Sequence, residues 1–348
     1  MSTVLLSTVS AINGIGVCTG CARRISTPVE LSVVIPAYNE EANLTELYHR
    51  LTGTLEKCGI DYELIFVNDH SKDGTLSLLR GLNAQDNRVK VISLARNFGH
   101  QMALSAGLDF ARGRMVAVMD ADLQDPPEVL PLFIEKLREG FEVVYAVREK
   151  RKEHIFKRAA YRSFYLLLRA LARIDIPLDS GDFCIMDRRV VDLIRGFPER
   201  IRFLRGLRSW VGFRQVGLAY ERDRRFAGSS KYTFGRLVKL ALDGLISFSD
   251  LPLRLASFMG IGTAGASILL GLYYLVRRLI SGLGPPGFPT LIVVMLFLGG
   301  VQLITIGVLG EYIGRILDEV KQRPLYIVEE VVGFGDPDEQ AFSANSDA

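Results

Sequence analysis

Between Leu31 and Val147 the chain alternates short apolar runs with segments whose leucines recur at helical spacing. The runs are Leu31–Ile35, Tyr62–Val67, Val89–Leu94, Met115–Met119 and Val143–Val147. They are rich in β-branched residues and close to continuously apolar, which is the pattern of strands covered on both faces. Between them lie Ala42–Lys57 (Leu44, Leu47, Leu51, Leu55), Thr75–Asn83, Gln101–Ala111 and Pro127–Glu139, all read as helices. Regular alternation of this kind confines the chain to an α/β fold, a mostly parallel sheet with helices on both faces. No Gly-x-Gly-x-x-Gly follows the first run, which argues against a dinucleotide-binding Rossmann domain.

Beyond residue 250 the pattern changes. Leu255–Val276 has no charged side chain, and Phe288–Leu309 has Gln302 as its one strongly polar residue. As a helix, each would span roughly 33 Å, enough for a bilayer core. Gly260, Gly262, Gly265 and Ala266, then Gly299 and Gly300, permit close helix approach. Buried core helices are the competing reading. The short Gly/Pro-rich connection Arg277–Pro289 makes the pair a hairpin. From Arg200 to Arg254 twelve Lys/Arg stand against four Asp/Glu. Basic residues followed by apolar stretches point to a lipid bilayer and away from nucleic acid. Arg236, Lys239 and Arg254 before the hairpin, and Arg315, Lys321 and Arg323 after it, place both flanks in the cytoplasm of a multi-pass inner-membrane protein. Arg277 and Arg278 in the loop pull mildly the other way. Lys157–Arg173 and Tyr232–Phe248 are amphipathic and expected at the interface, with packing on the α/β domain as the alternative.

The ends are less informative. Residues 1–30 carry no basic residue ahead of their apolar stretch and read as a disordered extension rather than a signal peptide. Gly335–Ala348 is polar, acidic and expected to be disordered. Cys18 and Cys21 form a lone Cys-x-x-Cys, too few ligands for zinc, and with Cys58 and Cys184 they build no disulfide framework, as suits a reducing compartment.

The polar residues after each run carry the functional signal. They are Pro36-Ala37-Tyr38-Asn39-Glu40-Glu41, Asn68-Asp69-His70-Ser71-Lys72-Asp73-Gly74, Ala95-Arg96-Asn97-Phe98-Gly99-His100 and Asp120-Ala121-Asp122-Leu123-Gln124. In open α/β sheets ligands sit at this edge. Asp120 and Asp122 lie two apart after a strand, so both carboxylates can point the same way. Two close anions call for a cation, and Mg²⁺ is typically held by one or two carboxylates plus substrate phosphates. A solvated turn stopped by Pro126 and Pro127 is the bland alternative for the pair alone. Four polar edges together suit a ligand with a base, a ribose and phosphates.

These motifs resemble the family 2 glycosyltransferases of GT-A fold, over about Leu31–Tyr232. Arg96-Asn97-Phe98-Gly99, Asp120 to Pro127, Ser180-Gly181-Asp182-Phe183 and Gly228-Ser229-Ser230-Lys231-Tyr232 bring it closest to the polyprenyl-phosphate glycosyltransferases, GtrB-like or dolichyl-phosphate mannose synthase-like. His100 stands where Lys is frequent, and the Gln-x-x-Arg-Trp of processive synthases is missing. The resemblance implies that Pro36, Ala37, Tyr38 and Glu40 line the base and ribose pocket and that Asp69 bonds the base. It further implies that Asp120, Asp122 and Gln124 hold Mg²⁺ or Mn²⁺ against the pyrophosphate. Arg148 is a phosphate contact or a solvated arginine. Asp182 is a base, an orienting group, or a turn residue after Gly181. Arg224, Arg225, Ser230 and Lys231 would meet the phosphate of a polyprenyl phosphate acceptor, or anionic headgroups.

The implied reaction is inverting transfer of a hexose from a nucleotide-diphosphate sugar, UDP-glucose for preference, to undecaprenyl phosphate for cell-envelope glycan modification. GDP-mannose as donor, and a non-catalytic membrane adaptor with a degenerate transferase domain, are the alternatives. A tetramer is expected by resemblance. The domain division is an extension (1–30), a catalytic domain (31–231), a juxtamembrane helix (232–254), transmembrane helices (255–276 and 288–309) and a cytoplasmic C-terminal segment (310–348).

Overall fold

The computed structural model describes residues 29–148, 180–200, 202–220, 251–281 and 287–335. The first four apolar runs become β1 (Leu31–Ala37), β2 (Tyr62–Asn68), β3 (Val89–Leu94) and β4 (Met115–Val118), all mutually parallel. β1 and β2 are buried along their whole length. Their alternate residues feed two cores. Val33, Ile35, Leu64 and Phe66 share one with α1 (Glu41–Cys58), α2 (Thr75–Gln85) and α4 (Leu130–Arg138). Val34, Ile65 and Val67 share the other with α3 (His100–Phe110). α3 approaches the sheet through Gly107, where a Cβ would collide with the Val34 side chain and lie 3.1 Å from Val67 Cγ2.

The remaining strands are β5 (Val143–Arg148), β6 (Ser180–Asp187), β7 (Gln215–Tyr220) and β8 (Val328–Val332), with α5 (Arg188–Gly196) and α6 (Leu204–Trp210) between β6 and β7. The sheet order is β7-β5-β6-β4-β1-β2-β3-β8. β6 lies antiparallel between β4 and β5, so the fourth and fifth apolar runs are not neighbours. β7 is parallel to β5. The helix expected over Pro127–Glu139 begins as a 3-10 turn at Pro127–Val129 and becomes α-helical from Leu130; Pro131 has no N–H to donate to the Pro127 carbonyl, so the first turn cannot join the ladder.

The two apolar stretches form α7 (Leu251–Ser281) and α8 (Phe288–Val320). Both are long and apolar enough to cross a membrane, over Ala256–Arg277 and Val293–Val320. Ile268, Leu279, Leu296 and Leu303 are exposed on them, where acyl chains would cover them. α8 outruns its apolar stretch, which ends at Leu309, and the Glu311–Arg315 pair supports the added turns. The segment assigned to 310–348 therefore begins inside a helix, and it then adds β8, antiparallel to β3. Tyr326 Oη donates to Asp109 Oδ2 at 2.7 Å, and Phe334 packs edge-on against Phe110 at 5.3 Å. The Arg200 backbone N–H donates to Glu319 Oε1 at 3.0 Å.

Candidate active site

The C-terminal edges of β1 to β4 are sewn together by side chains that the sequence supplies just after each strand. Asn39 N–H donates to Ser71 Oγ (3.0 Å), and Asn39 Oδ1 accepts from Lys72 N–H (2.8 Å). Glu40 N–H donates to Thr75 Oγ1 (3.0 Å). Asn68 Nδ2 donates to Ser93 Oγ (3.0 Å). Asp69 is buried and accepts from Phe98 N–H on one oxygen (2.7 Å) and Gly99 N–H on the other (2.9 Å), fixing the loop that starts α3. Burial pushes its carboxyl up, opposed by those two amides. Carboxylate oxygens accept more than one bond, so contact with a base stays open to it. Of the four described residues other than glycine with left-handed backbones, Asn39 (φ 56°), His70 (φ 57°) and Leu123 (φ 59°) lie in these edge loops and Gln322 (φ 45°) follows α8. Such conformations cost on the order of 1–2 kcal/mol and gather at working sites.

Carboxylates dominate the β4 edge. Asp122 is buried and its Oδ1 accepts from Gln124 N–H at 3.2 Å, which turns the loop back. Asp125 is fully buried and accepts a hydrogen bond from Tyr220 Oη. Asp182 lies on β6 two residues before Cys184, which pairs with Val118, and so stands across from Asp120. Arg205 grips Asp182 with both ends of its guanidinium, Nε to Oδ1 (2.7 Å) and Nη2 to Oδ2 (3.1 Å). His100 Nε2 is 3.3 Å from Asp182 Oδ2 and 3.6 Å from Asp120 Oδ1.

Electrostatics separate these groups. Burial raises Asp120, and Asp182, Asp125 and Asp122 add to it against His100, so its carboxyl is pushed up to about 6. Burial also works to raise Asp182, but the His100 hydrogen bond and the Arg205 charge outweigh it and hold that carboxyl far below the usual range. For His100, desolvation acts to lower its pKa, but the Asp182 bond and Asp120 charge prevail and raise it. Asp120 Oδ1 is buried with no hydrogen-bond partner among the described residues. A carboxylate oxygen without a hydrogen-bond partner, in the field of Asp122, Asp125 and Asp182, fits a divalent cation. Among the described residues no three His, Cys, Asp or Glu side chains form a ready-made cage, as expected when substrate phosphates complete the coordination.

Pro36, Ala37, Tyr38, Glu40, Asp69, Asp120, Asp122, Gln124 and Asp182 are thus brought to one edge. Arg148 ends β5 in register with Tyr220. Arg224, Arg225, Ser230 and Lys231 lie outside the described residues, as do both amphipathic segments. Sequence reasoning passed over Arg205 and Tyr220. Neither sits in a motif, and only pairing across the sheet reveals them.

A mostly parallel sheet with carboxylates at the carboxyl ends of its strands is the GT-A arrangement of a sugar transferase. The pattern of glycosyl transferase family 2 matches residues 32–195. An uncharacterized glycosyltransferase, YkcC, of Bacillus subtilis (strain 168) is 48% identical over 89% of this chain and 96% of its own length. The bactoprenol glucosyl transferase of Shigella phage SfII is 43% identical over 86% of this chain and 98% of its own length. Among solved structures, the mannosyltransferase PcManGT from Pyrobaculum calidifontis, in complex with GDP-Man and Mn²⁺, is 18% identical with a TM-score of 0.43, covering 91% of this chain and 79% of that one. The chain belongs to glycosyl transferase family 2 and is a glycosyltransferase.

Proposed function

We propose that this protein transfers glucose from UDP-glucose to undecaprenyl phosphate at the cytoplasmic face of the inner membrane, with inversion at the anomeric carbon. The observation that carries the reading is the Asp120–Asp122 edge, with its orphaned buried oxygen, on a sheet tied to two bilayer-length helices. Its likeness to bactoprenol glucosyl transferases supports the lipid acceptor and the sugar. Asp120, Asp122 and Gln124 would hold Mg²⁺ or Mn²⁺, which supplies Lewis acidity for the departing nucleoside diphosphate. Pro36, Ala37, Tyr38, Glu40 and Asp69 would seat the nucleotide, and Arg148 would meet its phosphates. Arg224, Arg225, Ser230 and Lys231 would hold the acceptor phosphate. That phosphate has a second pKa near about 6, so the attacking oxygen is already ionised and needs no strong base. Asp182, locked between Arg205 and His100, is a poor proton acceptor and serves as an orienting anion.

The test is a donor panel with short-chain polyprenyl phosphate and Mg²⁺ or Mn²⁺, reading lipid-linked product and its anomeric configuration. A β-linked glucolipid from UDP-glucose, lost in chelator and in a folded Asp122→Ala variant, is expected. Mannolipid from GDP-mannose, an α-linked product, or full activity in chelator would each overturn the corresponding part.

A further inference from the structure

Asp182 is the most tightly gripped carboxylate at the edge, and the grip comes from two different helices. Arg205, on the first turn of α6, takes both its oxygens. His100, the first residue of α3, approaches Oδ2 from the other side. The same two first turns are joined a second time, because Leu204 N–H donates to Gln101 Oε1 at 2.9 Å. α3 and α6 are therefore registered against each other by a neutral bond and by an Arg–carboxylate–His bridge, side by side. Asp182 is 6% exposed and Arg205 28%, so the guanidinium–carboxylate pair is largely shielded from water, while the His100 side chain is 41% exposed. A planar guanidinium matched to a carboxylate gives direction as well as charge. The far end of the bridge, His100 Nε2, lies 3.6 Å from the Asp120 oxygen that has no hydrogen-bond partner among the described residues.

We propose that Arg205 is a positioning residue for sugar transfer. It keeps Asp182 a fixed anion and, through it, holds the His100 imidazole turned toward Asp120. The inference rests on the transferase reading above. Arg205 grips Asp182 on β6, whereas the nucleotide is assigned to the loops after β1 and β2, so its loss is expected on the transfer step more than on nucleotide binding. Small misplacements at a reacting centre cost about 10²-fold in rate.

The experiment compares wild type, Arg205→Gln, Arg205→Lys, Asp182→Asn and Arg205→Gln/Asp182→Asn in detergent. Initial rates are measured at saturating donor and acceptor, UDP binding by calorimetry with Mn²⁺, and stability by circular dichroism melts. Arg205→Gln is expected to lower kcat at least about tenfold. Its UDP affinity stays within about twofold of wild type, and Arg205→Lys, which keeps one bond and the charge, falls between the two. The double variant is no slower than Asp182→Asn, because Arg205 acts through that carboxylate. Multiplicative losses in the double variant would overturn the proposal, as would wild-type kcat in Arg205→Gln or loss of UDP binding in step with kcat. The melts need no substrate. Protein inactive with every donor would sink the transferase reading alone, and additive melting shifts for Arg205 and Asp182 would sink the bridge alone.

Discussion

Replacing Tyr220 by Phe removes one hydroxyl and nothing else, and the structure says what that hydroxyl does. It donates to Asp125, a carboxylate with no solvent exposure, three residues after Asp122 on the loop following β4. Tyr220 itself is 6% exposed and ends β7, with its ring edge-on to Phe183 at 6.1 Å. The ring contact survives the change, and the loss includes a buried hydrogen bond to a carboxylate, worth about 1.5–3 kcal/mol. At about 2–4 °C per kcal/mol for a domain of this size, the melting temperature should fall by roughly 3–12 °C. Because Asp125 shares its loop with Asp120 and Asp122, the Mn²⁺ concentration needed for half-maximal transfer should rise as well. Circular dichroism melts in detergent and a Mn²⁺ titration of sugar transfer measure both. A variant melting within 1 °C or so of wild type, with the same Mn²⁺ requirement, would refute the assignment of that bond as an anchor of the carboxylate loop.

Gly107→Ala should destabilise by about 1–3 kcal/mol through collision with Val34, in spite of alanine's better helix propensity, and a melt showing stabilisation would disprove the close α3–sheet contact. His100→Gln should cost more stability at pH 6 than at pH 9 in chelator. The raised folded pKa of His100 means its contribution is complete below the unfolded value of about 6.5 and disappears as pH rises through the folded one, so a pH-independent cost would contradict the contacts with Asp182 and Asp120. Phe334→Ala, emptying a site that is 5% exposed, should cost about 3–5 kcal/mol, and an unchanged melt would mean that Phe334 does not anchor the segment after β8 on α3.

The centre of the fold was legible because buried parallel strands write themselves as continuous apolar runs, as in Leu31–Ile35 and Tyr62–Val67. The site was legible for a related reason. In such a sheet the polar residues after each run converge on one edge whatever the helix lengths between them. β8 was hidden because Val-Glu-Glu-Val-Val, half exposed on a sheet edge, has no strong period of its own. β6 reads as a motif around Asp182, and nothing local announces that it runs backwards between β4 and β5. Partners such as Arg205 for Asp182, and Tyr220 for Asp125, are 23 and 95 residues apart, a pairing that only the assembled sheet creates.

The placement of β8 has a consequence for how the molecule is made. Its partner β3 is among the first strands to leave the ribosome, yet β8 follows both bilayer-length helices in the chain. Until translation has passed residue 332, the edge of β3 facing away from β2 has no neighbour, an open template for wrong pairing. The outer edge of the sheet is therefore closed only after both bilayer-length helices have been made, so a chain cut short within α8 keeps the strand edge of β3 open to aggregation.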